Sequence, residues 1–288
     1  MKMLIALAAL SAGGALAVFA QEQGPPPVLQ IGRELIKEGK GAAHEKTEAA
    51  FVRAFRKADF PGHYLALSAM SGPNEVWFVE AFPSFEMSAE WEAESEKEPL
   101  KSAFEEADAA DGALRERSNS MWAVYRPKLS YRPDKLDVGK TRFVRVFTYH
   151  VRPGHTEDFL EEAAVVIGGY DRANIDRSFL GYEVKAGAPA GTYMFFEGLA
   201  SLKPLDTADE QNQAFISILG ADRLKRLDEF EASGIASEEA NLFQVSPKMS
   251  YVSNATEDED PAFWRPKPPA MKPAAKPAAA AAAKSGGK

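Results

Sequence analysis

Two stretches of the chain alternate aromatic or β-branched residues with smaller or polar ones, and each is broken by a turn. "HYLALSAM" (63–70) and "EVWFVEAF" (75–82) flank "SGPN", while "SFLGYEVK" (178–185) and "TYMFFEGL" (192–199) flank "AGAPAG". Period-two alternation bounded by Gly and Pro predicts two hairpins. Upstream of each lies a strand that passes through a Gly-containing turn into a helix, "VLQIGRELIKEGKGAAHEKTEAAFVRAF" and "RFVRVFTYHVRPGHTEDFLEEAAVVIGG". Thr47, Phe51 and Phe55 in the first helix, and Phe159, Ala163 and Ile167 in the second, stand one turn apart and give each a single apolar stripe. Downstream, 84–115 and 201–238 read as two short helices each, divided near Pro99 in the first, with 221–232 as the later helix of the second.

Both series close on nearly the same hexapeptide, "RPKLSY" (126–131) and "SPKMSY" (246–251). The offset between matched positions is 115 for Gly39 and Gly154 and for His63 and Ser178, 117 for Glu80 and Glu197, and 120 for Ser130 and Ser250. Such slow growth is that of short loop insertions in a repeated unit. The predicted fold is α+β: two tandem ferredoxin-like β-α-β-β-α-β units with extra helices, 28–131 and 143–252, joined by 132–142. Helices on one face leave the other sheet face bare. Trp77 and Val79, or Phe78 and Phe82, would lie on it in unit one, with Tyr193 and Phe195 among the choices in unit two. The expected cover is the other unit's sheet, packed face to face as a pseudo-dimeric α/β barrel with the functional surface between the sheets.

The N-terminus changes the picture first. MKMLIALAALSAGGALAVFA, with Lys2 ahead of an apolar run and Val18 and Ala20 before Gln21, reads as a secretory signal peptide over 1–20, an uncleaved anchor being the alternative. Residues 21–27 would form a flexible mature N-terminus, and the location expected is periplasmic or extracellular. The chain has no cysteine, so disulfides, thiolate metal sites and a cysteine nucleophile are excluded. Six of the 34 basic residues lie from Pro261 onward with no acid among them, and Lys2 lies in the leader, which leaves 27 against 42 acidic residues. An acidic body of this kind repels phosphate backbones, so no nucleic-acid partner is expected. The Pro/Ala/Lys-rich segment 253–288 is expected to be disordered, either as a solvated terminus or as a tether to anionic envelope material.

Candidate chemistry is sparse. Of four histidines, His155 and His44 read as exposed helix residues, while His63 and His150 stand at strand ends where an imidazole could serve as a base or ligate haem iron. No spacing supplies clustered metal ligands, so no metal is expected. Glu80 and Glu197 occupy equivalent positions on third strands among aromatics. Desolvation there would raise their pKa values for acid–base work, and a structural hydrogen-bonding role is the alternative. Glu80, His63 and Glu197 are thus the catalytic candidates. Arg33, Trp77, Phe78, Trp122, Tyr125, Tyr149, His150 and Phe195 are the ligand-binding candidates, with unit one favoured as the pocket. "GKGAAHEK" lacks the spacing of a phosphate loop, and no nucleophile elbow, zinc-protease helix or dinucleotide fingerprint is present.

"PGHYLALS", "NEVWFVEAFPSFEMSAEWEAESEKEPLKSAF" and "VRPGHTEDFLEEA" resemble the dimeric α/β-barrel superfamily, particularly its antibiotic-biosynthesis-monooxygenase-like branch. The resemblance spans most of 28–251. It implies ferredoxin-like sheets paired into a barrel with a cavity for an aromatic or apolar molecule, and relatives that include cofactor-free monooxygenases and haem-handling proteins. Where the branch places a Trp after the acidic residue of the third strand, this chain has Phe82 and Leu199, and neither following segment offers the branch's His. The function expected is small-molecule binding without a predicted cofactor. A cofactor-independent monooxygenase or related oxidoreductase, a non-catalytic envelope interaction protein and, at a lesser rank, haem binding are the alternatives.

Overall fold

The computed structural model describes residues 24–266. The expected signal peptide, residues 21–23 and the tail from 267 lie outside them. Unit one runs β1 (Val28–Ile36), α1 (Gly41–Ala58), β2 (Tyr64–Ala69), β3 (Glu75–Phe82), α2 (Phe85–Ser95), α3 (Leu100–Asp111) and β4 (Arg115–Tyr125). Unit two repeats the order with β5 (Phe143–Val151), α4 (Thr156–Arg172), β6 (Leu180–Ala186), β7 (Thr192–Leu199), α5 (Lys203–Asp206), α6 (Ala208–Leu219), α7 (Ala221–Gly234) and β8 (Ile235–Val245). The break at Pro99 and the late helix from Ala221 fall where the sequence places them.

The eight strands form one closed barrel in the order β1-β3-β2-β8-β5-β7-β6-β4. This corrects the expectation of two sheets packed face to face. The halves meet edge to edge instead, β2 on β8 and β4 on β6, and closure satisfies the backbone groups that open edges would leave bare. The lumen is packed by Ile31, Leu67, Trp77, Met121, Val146, Met194 and Phe243, among others. In unit one Trp77 and Val79 face inward. In unit two Met194 and Phe196 do so, and Tyr193 and Phe195 face the helices, the opposite of the parity expected from sequence.

Each hexapeptide leaves its own half. After β4 the chain makes a 3-10 turn at Pro127–Leu129, and Tyr131 bridges to Phe179 ahead of β6. The Ser130 hydroxyl accepts the Gly181 N–H at 2.9 Å. Reciprocally, Tyr251 bridges to Tyr64, and Ser250 accepts the Ala66 N–H at 2.9 Å. Leu129 and Met249 are buried at the two crossings.

The expected disordered tail does not begin at 253. Ser253 caps α8 (Asn254–Glu259), Asp260 caps α9 (Pro261–Trp264), and Trp264, only 3% exposed, joins the lumen core while its indole N–H donates to the Gly139 carbonyl at 2.9 Å. Phe263 and Trp264 give this segment apolar surface to bury, which the Pro/Ala/Lys stretch after it lacks. Among the described residues no helix is long and apolar enough to cross a membrane.

Candidate functional site

Each unit has a cavity outside the barrel, between the outer sheet face and the helices. This relocates the surface expected between the sheets. The larger, of about 710 Å³, belongs to unit one. Strand alternation sends Gln30, Gly32 and Glu34 of β1, Phe78, Glu80 and Phe82 of β3, Tyr64 of β2 and Trp122 of β4 to this side. Helix periodicity brings Glu48, Phe51 and Phe55 of α1 down onto them, and α2 adds Trp91 and Glu92. The walls are therefore mostly aromatic with a few carboxylates, the composition of small-molecule sites.

Glu80 stands in the middle of this wall. Part of its surface is accessible, but to the cavity. Burial pushes its carboxyl up to about 7, and nearby Glu92 adds to the shift. Among the described residues no cation or hydrogen-bond donor engages it. His63, at the mouth of β2, lines the same cavity and stacks on Tyr251 with ring centroids 4.9 Å apart. Burial lowers its pKa, partly offset by a backbone hydrogen bond with Pro61.

Glu197, the equivalent of Glu80, has a different environment. It is 3% exposed and held between Arg145, whose Nε donates at 2.7 Å, and Arg177, whose Nε donates at 2.8 Å. Burial would raise its pKa, yet the two guanidinium groups outweigh this and hold it below the usual carboxylate range. Arg145 pairs across the sheet with Glu197 as Gln30 does with Glu80. At the same offset of 115, Arg177 corresponds to Gly62. Unit one thus has Gln30 and Gly62 where unit two has the two arginines that neutralise its glutamate. The unit-two cavity, about 230 Å³, is correspondingly smaller and is lined by that ion triad, Tyr170 and Phe215.

The remaining sequence candidates divide. Phe78 and Trp122 line the unit-one cavity. Arg33 and Trp77 do not. They point into the lumen, where Glu75 accepts from Arg33 Nη2 and from Trp77 Nε1, each at 2.7 Å. Arg33 therefore complements Glu75 and neither Glu80 nor Glu197. Tyr125 also faces the lumen, 5.5 Å from Tyr182. Tyr149 and Phe195 pack with Phe159 under α4, and burial raises the Tyr149 pKa. His150 shares a 3.0 Å hydrogen bond with Thr192, away from both cavities. His155 pairs with Asp158 at 2.9 Å on the surface, close to expectation.

His44 overturns its reading as an exposed residue: it is 1% exposed, and its Nδ1 lies 2.8 Å from Asp111 Oδ1. The charged run around it is amphipathic, and His44, Glu48 and Val52 form its buried stripe. Glu34, His44, Glu48 and Asp111 offer ligand atoms all within 4.8 Å of one another, a grouping missed in the sequence because it joins β1, α1 and α3. Burial, with Glu34 next, pushes the Glu48 carboxyl up to about 9. Burial also raises Glu34, opposed by Arg115. Haem fits the unit-one cavity poorly. Its acid groups would meet Glu48, Glu80, Glu92 and Glu96.

No family model and no curated protein sequence matches the chain. Solved structures do. An anthrone oxidase-like protein aligns with 11% identity and a TM-score of 0.50, over 76% of this chain and 91% of that one. A putative monooxygenase from Fusobacterium nucleatum subsp. nucleatum ATCC 25586 gives 13% identity and a TM-score of 0.49, over 77% and 93%. One from Lactobacillus acidophilus NCFM gives 11% and 0.47, over 76% and 94%. At such identity the likeness is one of fold alone, that of an α/β barrel.

Proposed function

We propose that the chain binds a small, largely aromatic molecule in the unit-one cavity and that Glu80 exchanges a proton with it. The observation that carries this reading is the asymmetry between the halves. Both arginines that neutralise Glu197 are replaced, by Gln30 and Gly62, around a glutamate that faces an open aromatic cavity. A carboxyl held near neutrality can accept a proton from an acidic phenol or enol, or donate one to a carbonyl, without leaving its ordinary working range. Trp91 and Trp122 in the wall provide the assay. Saturable quenching of tryptophan fluorescence by 1-naphthol is expected, lost in Ala89→Trp, which fills the cavity, and independent of pH near 7 in Glu80→Gln. Equal quenching of the wild type and Ala89→Trp would remove the cavity from the account.

The same uncompensated carboxylate favours a second reading, a cofactor-independent monooxygenase or related oxidoreductase. Ionised Glu80 would take a proton from an acidic aromatic, and dioxygen would oxidise the resulting anion. Oxygen uptake with anthrone as trial substrate, abolished in Glu80→Gln, tests it, and uptake unchanged in that variant rejects it.

The matched offsets and reciprocal hexapeptides support an origin of the two halves by tandem duplication. The leader supports export to the periplasm or beyond, and the basic residues from 267 support contact with anionic envelope material. Because Trp264 belongs to the core, the deletion that separates this contact from ligand binding is 267–288.

A further inference from the structure

One end of the unit-one cavity contains an arrangement that aromatic binding does not use. His44 and Glu48 lie one turn apart on the buried face of α1, and Glu34 approaches from β1. Asp111 Oδ1 lies 2.8 Å from His44 Nδ1, and in the neutral tautomer whose Nδ1–H donates to it, Nε2 carries a lone pair. That lone pair is aimed at Glu34 Oε2, 3.6 Å away. In that tautomer both atoms are acceptors; both are buried, and neither has a hydrogen-bond partner in the protein. Two buried acceptors facing each other are costly unless something positive lies between them. Arg115 does not fill that role: its Nη1 bonds the other Glu34 oxygen at 2.7 Å, and its Nε lies 3.0 Å from Asp111 Oδ2.

We propose that Glu34, His44 and Glu48, with Asp111 behind the imidazole, form a binding site for a divalent transition-metal ion. Ligand atoms about 2.1 Å from a tetrahedral zinc stand roughly 3.4 Å from one another, close to the separation of His44 Nε2 and Glu34 Oε2. One imidazole nitrogen with carboxylate oxygens suits zinc, iron(II) or manganese better than magnesium or calcium, which favour oxygen alone. A carboxylate on the far nitrogen of a ligating histidine fixes its tautomer and orientation, as Asp111 does here, and Thr47 donates to the same oxygen. Glu34 and Glu48 also line the cavity, which supplies an entry path. The site stands whether or not the cavity takes an aromatic molecule.

The full chain, stripped with EDTA, is titrated calorimetrically with ZnCl2 and with MnCl2, and by visible absorption with CoCl2. One ion per chain and a cobalt absorption band are expected. His44→Ala and Glu48→Gln are each expected to weaken binding about tenfold or more. Glu45→Gln, on the same helix but paired with Lys248 on the surface, should bind as the wild type does. Should His44→Ala not fold, Glu48→Gln carries the test, because glutamine keeps the side-chain volume. No saturable binding, equal affinity in the wild type and Glu48→Gln, or displacement of zinc by equimolar magnesium would each overturn the assignment.

Discussion

Replacing Glu80 by glutamine should stabilise the fold in a pH-dependent way, with a sign opposite to that of an acid held in an ion pair such as Glu197. An ordinary glutamate, as in the unfolded chain, titrates near 4.5, and in the fold Glu80 titrates at about 7. The folded state therefore holds its proton more tightly. The associated stability is fully present below pH 4.5 and is lost as pH rises through about 7. At about 1.4 kcal/mol per unit the shift amounts to about 3 kcal/mol, an order-of-magnitude figure. Glutamine carries no such penalty. The stability difference between Glu80→Gln and the wild type should thus be about 3 kcal/mol more favourable to the variant at pH 8 than at pH 4. Any change in packing is common to both conditions and cancels. For a chain of this size that difference corresponds to roughly 6–12 °C in Tm. Urea unfolding at pH 4, 6 and 8 reads it directly. A difference that stays constant with pH, or that turns against the variant as pH rises, would show that Glu80 is compensated after all and would refute the asymmetry argument.

Gln30→Arg, which restores in unit one the cation that Arg145 provides in unit two, should lower the Glu80 midpoint by about 1–3 units, read by carboxyl-carbon NMR; an unmoved midpoint would break the equivalence of the halves. Trp264→Ala should cost about 3–5 kcal/mol in urea unfolding because the indole is buried in the lumen and bonded to Gly139, whereas a loss under about 1 kcal/mol would mean that α9 merely rests on the barrel. Gly181→Ala should destabilise by about 1–3 kcal/mol, since its methyl group would lie 2.5 Å from the Leu129 carbonyl oxygen at the first crossing; unchanged stability would mean that the crossing yields easily.

Much of this arrangement can be read in the sequence and some cannot, for identifiable reasons. The hairpins, the helices carrying Phe51 and Phe159 and the break at Pro99 follow from local periodicity and stand in the structure, although α1 buries His44, Glu48 and Val52 more deeply than the expected stripe of Thr47, Phe51 and Phe55. The equivalence of Glu80 and Glu197 follows from the matched offsets, and their registers agree with it. The decisive contrast also lay in the sequence, because adding 115 to Gln30 and Gly62 reaches Arg145 and Arg177, but it is visible only once the partners of Glu197 are known. Barrel closure was hidden. Edge pairing of β2 with β8 uses backbone groups that every residue has, so it leaves no side-chain signature. The same ambiguity put Trp77 and Arg33 among the ligand candidates, since alternation shows two faces without saying which is the lumen. His44 was concealed by its charged neighbours, and its partner Asp111 lies 67 residues away.

The crossed hexapeptides bear on how the molecule can come apart. Each half completes its partner's first hairpin with a serine hydroxyl and a bridging tyrosine, so neither half can reach its final form while the other is still being made. Synthesis from the ribosome would leave unit one waiting, its β2 edge without β8 and without Ser250 and Tyr251, until the last strand emerges. Unfolding is then a joint event, and a backbone cut anywhere in 132–142 would leave two polypeptides clasped at both ends, each acting as the other's folding template.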